Sequence, residues 1–211
     1  ERKLGFPIVP SVRQRSFVAT GGTVLAAQLA LKHKLACNTA GGSHHAFADS
    51  GNGYCVFNDV AVAAEKLIAE NNIKNILIYD LDVHQGNGTA KLMQEEPRVF
   101  TFSMHGATNY PFHKEKSDLD IGLENGTNSE TYLSILYETL PKLLATIKPD
   151  FAFYLAGVDI LSTDKFGKLQ VSIEACKQRD AFVFTQLKKN NIPVTVALGG
   201  GYSPEIKTIV E

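Results

Sequence analysis

The run Asn75-Ile76-Leu77-Ile78-Tyr79 is apolar almost throughout, and Asp80-Leu81-Asp82-Val83-His84-Gln85-Gly86-Asn87-Gly88 follows it at once. A short stretch of β-branched and aromatic residues without polar alternation is the pattern of a strand covered on both faces, as in a parallel sheet. Val99-Phe100-Thr101-Phe102, Phe151-Ala152-Phe153-Tyr154-Leu155-Ala156 and Val194-Thr195-Val196-Ala197-Leu198 repeat the pattern, and Leu35 to Thr39 is a weaker instance. Helical spacings lie between these runs. Thr20 can cap a helix through Val24, Leu25, Leu29 and Leu31, and Asn58 and Asp59 one through Val62, Leu67 and Ile68. A third helix runs from Ser129 through Leu144, with Pro141 expected to kink or divide it, and a fourth spans Ser172 to Asn190. Strand alternating with helix predicts an α/β fold, a mostly parallel sheet with helices on both faces. His105 to Asn128 reads as the longest irregular region, and loops of that length are often functional.

The chain has 211 residues, which suits one catalytic-size domain over residues 1–211 better than two. A net charge of -1 lacks the basic excess of a nucleic-acid-binding protein. No apolar run approaches the ~18 residues that span a bilayer, and the opening Glu1-Arg2-Lys3-Leu4-Gly5 is not a secretory signal. The 3 cysteines, Cys37, Cys55 and Cys176, form no CxxC pair, so a reducing, cytoplasmic setting is expected.

Open α/β sheets bind ligands beyond the carboxyl ends of their strands, and there the unusual residues fall. Asp80, Asp82 and His84 have the i, i+2, i+4 spacing that puts side chains on one face of extended chain. Such a group either shares a divalent cation or is a solvated carboxylate pair beside a hydrogen-bonded histidine. Asp159, after the Phe151–Ala156 run, is either a third ligand or a helix cap. Gly41-Gly42-Ser43-His44-His45 follows the Leu35 run, and its paired imidazoles are either a surface accident or an acid–base pair beside an activated water. Gly199-Gly200-Gly201-Tyr202 lacks the order of a phosphate-binding loop and reads as a close-packed turn presenting a hydroxyl. Together these residues suit metal-assisted hydrolysis with three protein ligands and an open position.

The blocks Gly41-Gly42-Ser43-His44-His45-Ala46, Gly53-Tyr54-Cys55-Val56-Phe57-Asn58-Asp59, Asp80 to Gly88, Ala156-Gly157-Val158-Asp159 and Gly199 to Tyr202 resemble, in this order, the zinc-dependent histone deacetylase superfamily, of arginase/deacetylase-like fold. The His84-Gln85-Gly86-Asn87-Gly88 run and Thr20-Gly21-Gly22-Thr23 resemble most its class IV branch and bacterial relatives. The resemblance implies Asp82, His84 and Asp159 as ligands of zinc, which iron(II) could replace. It implies His45 as general base and then acid, His44 paired with Asp80 as electrostatic partner, and Tyr202 as donor to the oxyanion. Asn87 stands behind His45 where many members have aspartate. A structural potassium ion would be held by Asp80, the backbone of Asp82 and His84, Ser103, and the backbone of Met104. Gly53, Tyr54, Tyr110, Gly157, Gly200 and Gly201 would line the substrate tunnel.

The resemblance further implies an opening segment, with a first strand and a rim loop, ahead of the point where this sequence begins. The expected activity is removal of an acetyl or longer acyl group from a lysine side-chain amide in a peptide or protein. Acetylated polyamines or other small amines are the alternative substrates. A non-catalytic acyl-lysine binder is a second reading. A two-metal ureohydrolase is a third, but it needs a second ligand set that the sequence lacks.

Overall fold

The computed structural model describes residues 1–210. In chain order the elements are α1 (Pro10–His33), β1 (Leu35–Asn38), α2 (Asp59–Asn71), β2 (Ile76–Asp80), α3 (Asn87–Met93), β3 (Val99–Gly106), β4 (Leu119–Leu123), α4 (Ser129–Ile147), β5 (Phe151–Leu155), α5 (Ile173–Lys189), β6 (Val194–Ala197) and α6 (Ile206–Val210). The strands form one sheet of order β1-β6-β5-β2-β3-β4, and every neighbouring pair is parallel. The chain leaves β2 toward β3 on one side, whereas β5 leads to β6 on the other. The β2/β5 boundary is therefore the switch point of the sheet, where a crevice opens beyond the strand ends.

The strands are covered on both faces, as their unbroken apolar runs require. Leu77, Tyr79, Ala152 and Tyr154 pack with Leu136 and Leu140 of α4 and Val183 and Leu187 of α5. Ile76, Ile78, Phe151 and Phe153 point the other way and pack with Ala27 and Ala30 of α1 and Ala64 and Leu67 of α2. The N-caps of α2, α4 and α5 are conventional: Asn58 accepts from Ala61 N, Asn128 from Thr131 N and Ser172 from Ala175 N. Among the described residues no helix is long and apolar enough to cross a membrane.

The structure departs from the sequence expectation in three places. The first helix begins at Pro10, a residue suited to a first helical position, and Thr20 lies inside it with its hydroxyl on Ser16 O. Its buried face is Ala19, Thr23, Ala26, Ala27 and Ala30, while Leu25 is 56% exposed. Small side chains let α1 approach closely: a Cβ on Gly22 would lie 3.0 Å from the Asn38 side chain. Second, α4 runs through Pro141 undivided; Pro141 lies on the exposed face, where water can take the carbonyl that a proline leaves unpaired. Third, the supposed irregular region contains β4, an edge strand whose residues alternate between exposed and partly covered until Leu123.

Candidate active site and metal centre

The carboxyl ends of β2 and β5 meet at the switch point and carry the titratable residues. Asp80 closes β2, and the chain then turns so that the Asp82, His84 and Asp159 donor atoms all lie within 4.8 Å of one another. His84 Nδ1 is 3.0 Å from Asp82 Oδ1 and 3.1 Å from Asp159 Oδ2. Backbone amides orient both carboxylates: Val83 N donates to Asp159 Oδ1 at 2.9 Å, and Gly200 N to Asp82 Oδ2 at 2.6 Å. Gly157 and Gly199 leave no space for a side chain here, since a Cβ on either would fall 2.5 or 2.6 Å from Asp82 Oδ2. Gly200 is equally tight against Asp159, and a Cβ on Gly201 would meet Val158.

Two buried carboxylates and an imidazole facing one another fit a divalent cation. The donor set is of the Asp/His kind, its formal charge matches a dication, and its ligands are held by a second layer of hydrogen bonds. Left to themselves the groups respond to their crowding. Burial and the Asp82 charge raise the Asp159 pKa to about 7. Burial opposes a charge on His84, yet its hydrogen bonds to Asp159 and Asp82 outweigh burial and raise it to about 10. Asp82 is held below the usual carboxylate range: burial pushes up, and His44 and His84 overcome it.

The histidine pair hangs from the β1–α2 connection. Its anchor is Asp59, the first residue of α2, whose carboxylate accepts from Gly42 N at 3.1 Å, Ser43 N at 2.7 Å and the Thr23 hydroxyl. From the other side, Thr89 N of α3 donates to His44 O at 3.1 Å. Gly88 lies so close to His45 and Ala46 that no Cβ fits. The two imidazoles, with centroids 4.1 Å apart, have different partners. His44 Nδ1 is 2.6 Å from Asp80 Oδ2, whereas His45 Nδ1 is 2.7 Å from Asn87 Oδ1. Burial disfavours charge on both. At His44 the Asp80 and Asp82 carboxylates overcome it and raise the pKa to about 9. At His45 burial and the neighbouring His44 push the pKa well below its ordinary value, and the Asn87 amide cannot compensate. One imidazole is thus kept cationic and the other neutral.

His45, His84 and Tyr202 face a cavity of 490 Å³. Burial, then Asp82 and Asp159, raise the Tyr202 pKa, so its hydroxyl keeps its proton. Gly53, Tyr54 and Tyr110 form walls. Gly53 has φ +49 and presses on His45, where a Cβ would lie 2.6 Å from the ring. The Tyr110 ring stands edge-on to His45 at 5.0 Å, and its hydroxyl donates to Asn52 Oδ1. Gly157, Gly200 and Gly201 lie behind the ligand carboxylates and Val158 rather than on that wall. Ser103 pairs in register with Asp80, and its hydroxyl is 2.9 Å from His105 Nδ1; Met104 is fully buried beside it.

Sequence reasoning missed the outer part of the cavity. Arg2 to Gly5, Thr108, Phe112, Phe166 and Lys168 complete it, and they carry no spacing signal. It also missed Arg179, a fully buried side chain on α5 whose Nη1 donates to Gly157 O at 2.6 Å and whose Nε donates to Asp180. The dipeptide Arg179-Asp180, in a helix otherwise buried through Ala175, Val183 and Leu187, was the available sign.

A family model described as Histone deacetylase domain matches residues 2–210. An uncharacterized protein of Picosynechococcus sp. is 47% identical over 210 residues, covering 100% of this chain and 70% of its own length. Histone deacetylase 2 of Arabidopsis thaliana is 36% identical over 185 residues, 86% of this chain and 48% of that protein. Acetoin utilization protein AcuC of Staphylococcus aureus is 29% identical over 91% of this chain, which spans 53% of that protein. The chain thus spans about half the length of these last two relatives. With its Asp–His–Asp cluster at the switch point of a parallel sheet, the chain belongs to the histone deacetylase domain family of metal-dependent hydrolytic deacetylases.

Proposed function

We propose that the protein hydrolyses the side-chain amide of an acyl-lysine, releasing a carboxylate and the lysine amine. The observation that carries this reading is the unequal histidine pair, one imidazole on the Asp80 carboxylate and the other on the Asn87 amide oxygen, beside the Asp82–His84–Asp159 cluster at the foot of a cavity. Those three residues would hold a divalent ion, zinc first and iron(II) by the same donors, which supplies Lewis-acid activation of water and of the amide carbonyl. Asp80, the backbone of Asp82 and His84, Ser103 and the backbone of Met104 are the proposed potassium ligands, and the buried negative charge of the aspartates favours a second cation nearby.

His45 does the proton work. Its Nδ1–H is engaged by Asn87 Oδ1, which leaves Nε2 with a free lone pair. Nε2 takes a proton from the attacking water as the new C–O bond forms. The same proton then passes to the amide nitrogen as the C–N bond breaks, so the amine leaves neutral. His44 stays protonated through its Asp80 partner and stabilises negative charge beside it. Tyr202 donates its hydroxyl hydrogen to the developing oxyanion, a role its proton retention supports. The 3 free cysteines fit a reducing cytoplasm.

The test is hydrolysis of acetylated and long-chain acylated lysine peptides by the full-length protein, with zinc, after chelation and after restoration. Release that follows the metal supports the proposal. No release from any peptide by protein shown to hold zinc overturns it.

A further inference from the structure

The cavity that leads to the histidine pair has a cationic mouth. Arg2, Lys3 and Lys168 line it, and no carboxylate among the described residues does. The backbone beneath Arg2 and Lys3 is held in place, while their side chains are exposed. Lys3 O and Leu4 O accept from Gly53 N and Tyr54 N at 3.1 and 3.2 Å, which pins the opening segment to the cavity wall, and Leu4 beneath them is buried. Lys168 Nζ reaches Thr108 O and Oγ1 at 3.0 and 3.1 Å. Behind them Lys114 Nζ donates to Asn109 O and Pro111 O, both at 2.6 Å. The acids closest in sequence are bonded to backbone amides: Glu1 accepts from Ile8 N, and Asp164, behind the cavity wall, accepts from the amides of Phe166, Gly167 and Tyr202, so the three cations outnumber the carboxylates beside the mouth.

The chain as a whole carries only -1, so this mouth is a local asymmetry and not a reflection of bulk charge. A cleft lined by one sign of charge between low-dielectric walls focuses its field on whatever approaches. An acylated polyamine, or a lysine set among further lysines, brings the wrong sign. Resting on the hydrolase reading above, we propose that Arg2, Lys3 and Lys168 select acyl-lysines lying in acidic peptide segments, and select against cationic amines.

The test compares three acetyl-lysine peptides of equal length, flanked by aspartates, serines or lysines, together with an acetylated polyamine. The full-length protein is assayed at low and high salt, beside a variant combining Arg2→Glu, Lys3→Glu and Lys168→Glu. Each exposed pair is worth roughly a 1.5- to 5-fold preference, so three predict roughly a 3- to 100-fold preference in kcat/KM for the aspartate over the lysine peptide at low salt. The preference should shrink toward one at 1 M salt, where the screening length is about 3 Å, and reverse in the charge-swapped variant. A ratio near one in the wild-type protein at low salt, or efficient turnover of the polyamine, overturns the inference while leaving the hydrolase reading intact. Failure to cleave even the serine peptide overturns that reading and this inference with it.

Discussion

The floor and the rim of the cavity are built on different principles. The floor consists of Asp80, Asp82, Asp159, His44 and His45, all buried and each tied to a backbone amide, another floor residue or, for His45, the Asn87 side chain. The rim consists of Tyr54 at 55%, Phe112 at 85% and Phe166 at 50% exposure, with lysine and arginine between them, all on loops. Groups that must hold charge in a fixed geometry follow strand ends, as the aspartates do, or sit on a loop fixed by Asp59, as the histidines do. Groups that meet a variable partner sit on loops that can adapt.

The largest expected contrast comes from the floor. Asp159→Asn removes one charge of a three-residue donor set, so metal affinity should fall by more than the ~10- to 100-fold typical of outer-layer changes, as read by chelator competition. An undiminished affinity would remove Asp159 from the metal site. Tyr202→Phe should lower kcat by about 10²- to 10³-fold with the metal retained, the usual cost of one oxyanion donor. Asn87→Asp sharpens the comparison without deleting anything. His45 must be neutral to act, and its pKa lies below the ordinary 6.5, so activity is lost only as pH falls through that depressed value. A carboxylate behind Nδ1 favours the imidazolium, which should move the acid limb of the kcat/KM profile to higher pH by about 1 to 3 units. An unmoved limb would mean that His45 is not the base. On the rim, Phe112→Ala should change KM by about twofold and leave kcat alone, since surface side chains contribute little individually. A large loss in kcat there would erase the distinction.

The same division explains what could be read from the residues. The floor was legible because a polar group at the end of a buried parallel strand contradicts its surroundings: Asp80 after Ile76–Tyr79 and Asp159 after Phe151–Leu155 have no place in a core. The rim was not, because Arg2, Lys3, Thr108 and Lys168 are ordinary surface residues that meet only after folding. In the fold, β4 escaped because an edge strand has no need of a continuous apolar run, and Asp120 and Gly122 interrupt it. The extent of α1 escaped because its buried face is written largely in alanines, while Leu25 and Leu29 of the visible period point outward and only Val24 and Leu31 pack partly against the core.

Asp59 has a consequence for motion. The loop from Gly41 to His45 has no regular structure, yet the amides of Gly42 and Ser43 end on a carboxylate that also holds α1 through Thr23 and begins α2. Freeing either amide therefore means prying the two helices and the loop apart together. In hydrogen exchange these two loop amides should be as slow as those of the central strands, so that the histidines are carried by a segment without local fluctuations of its own.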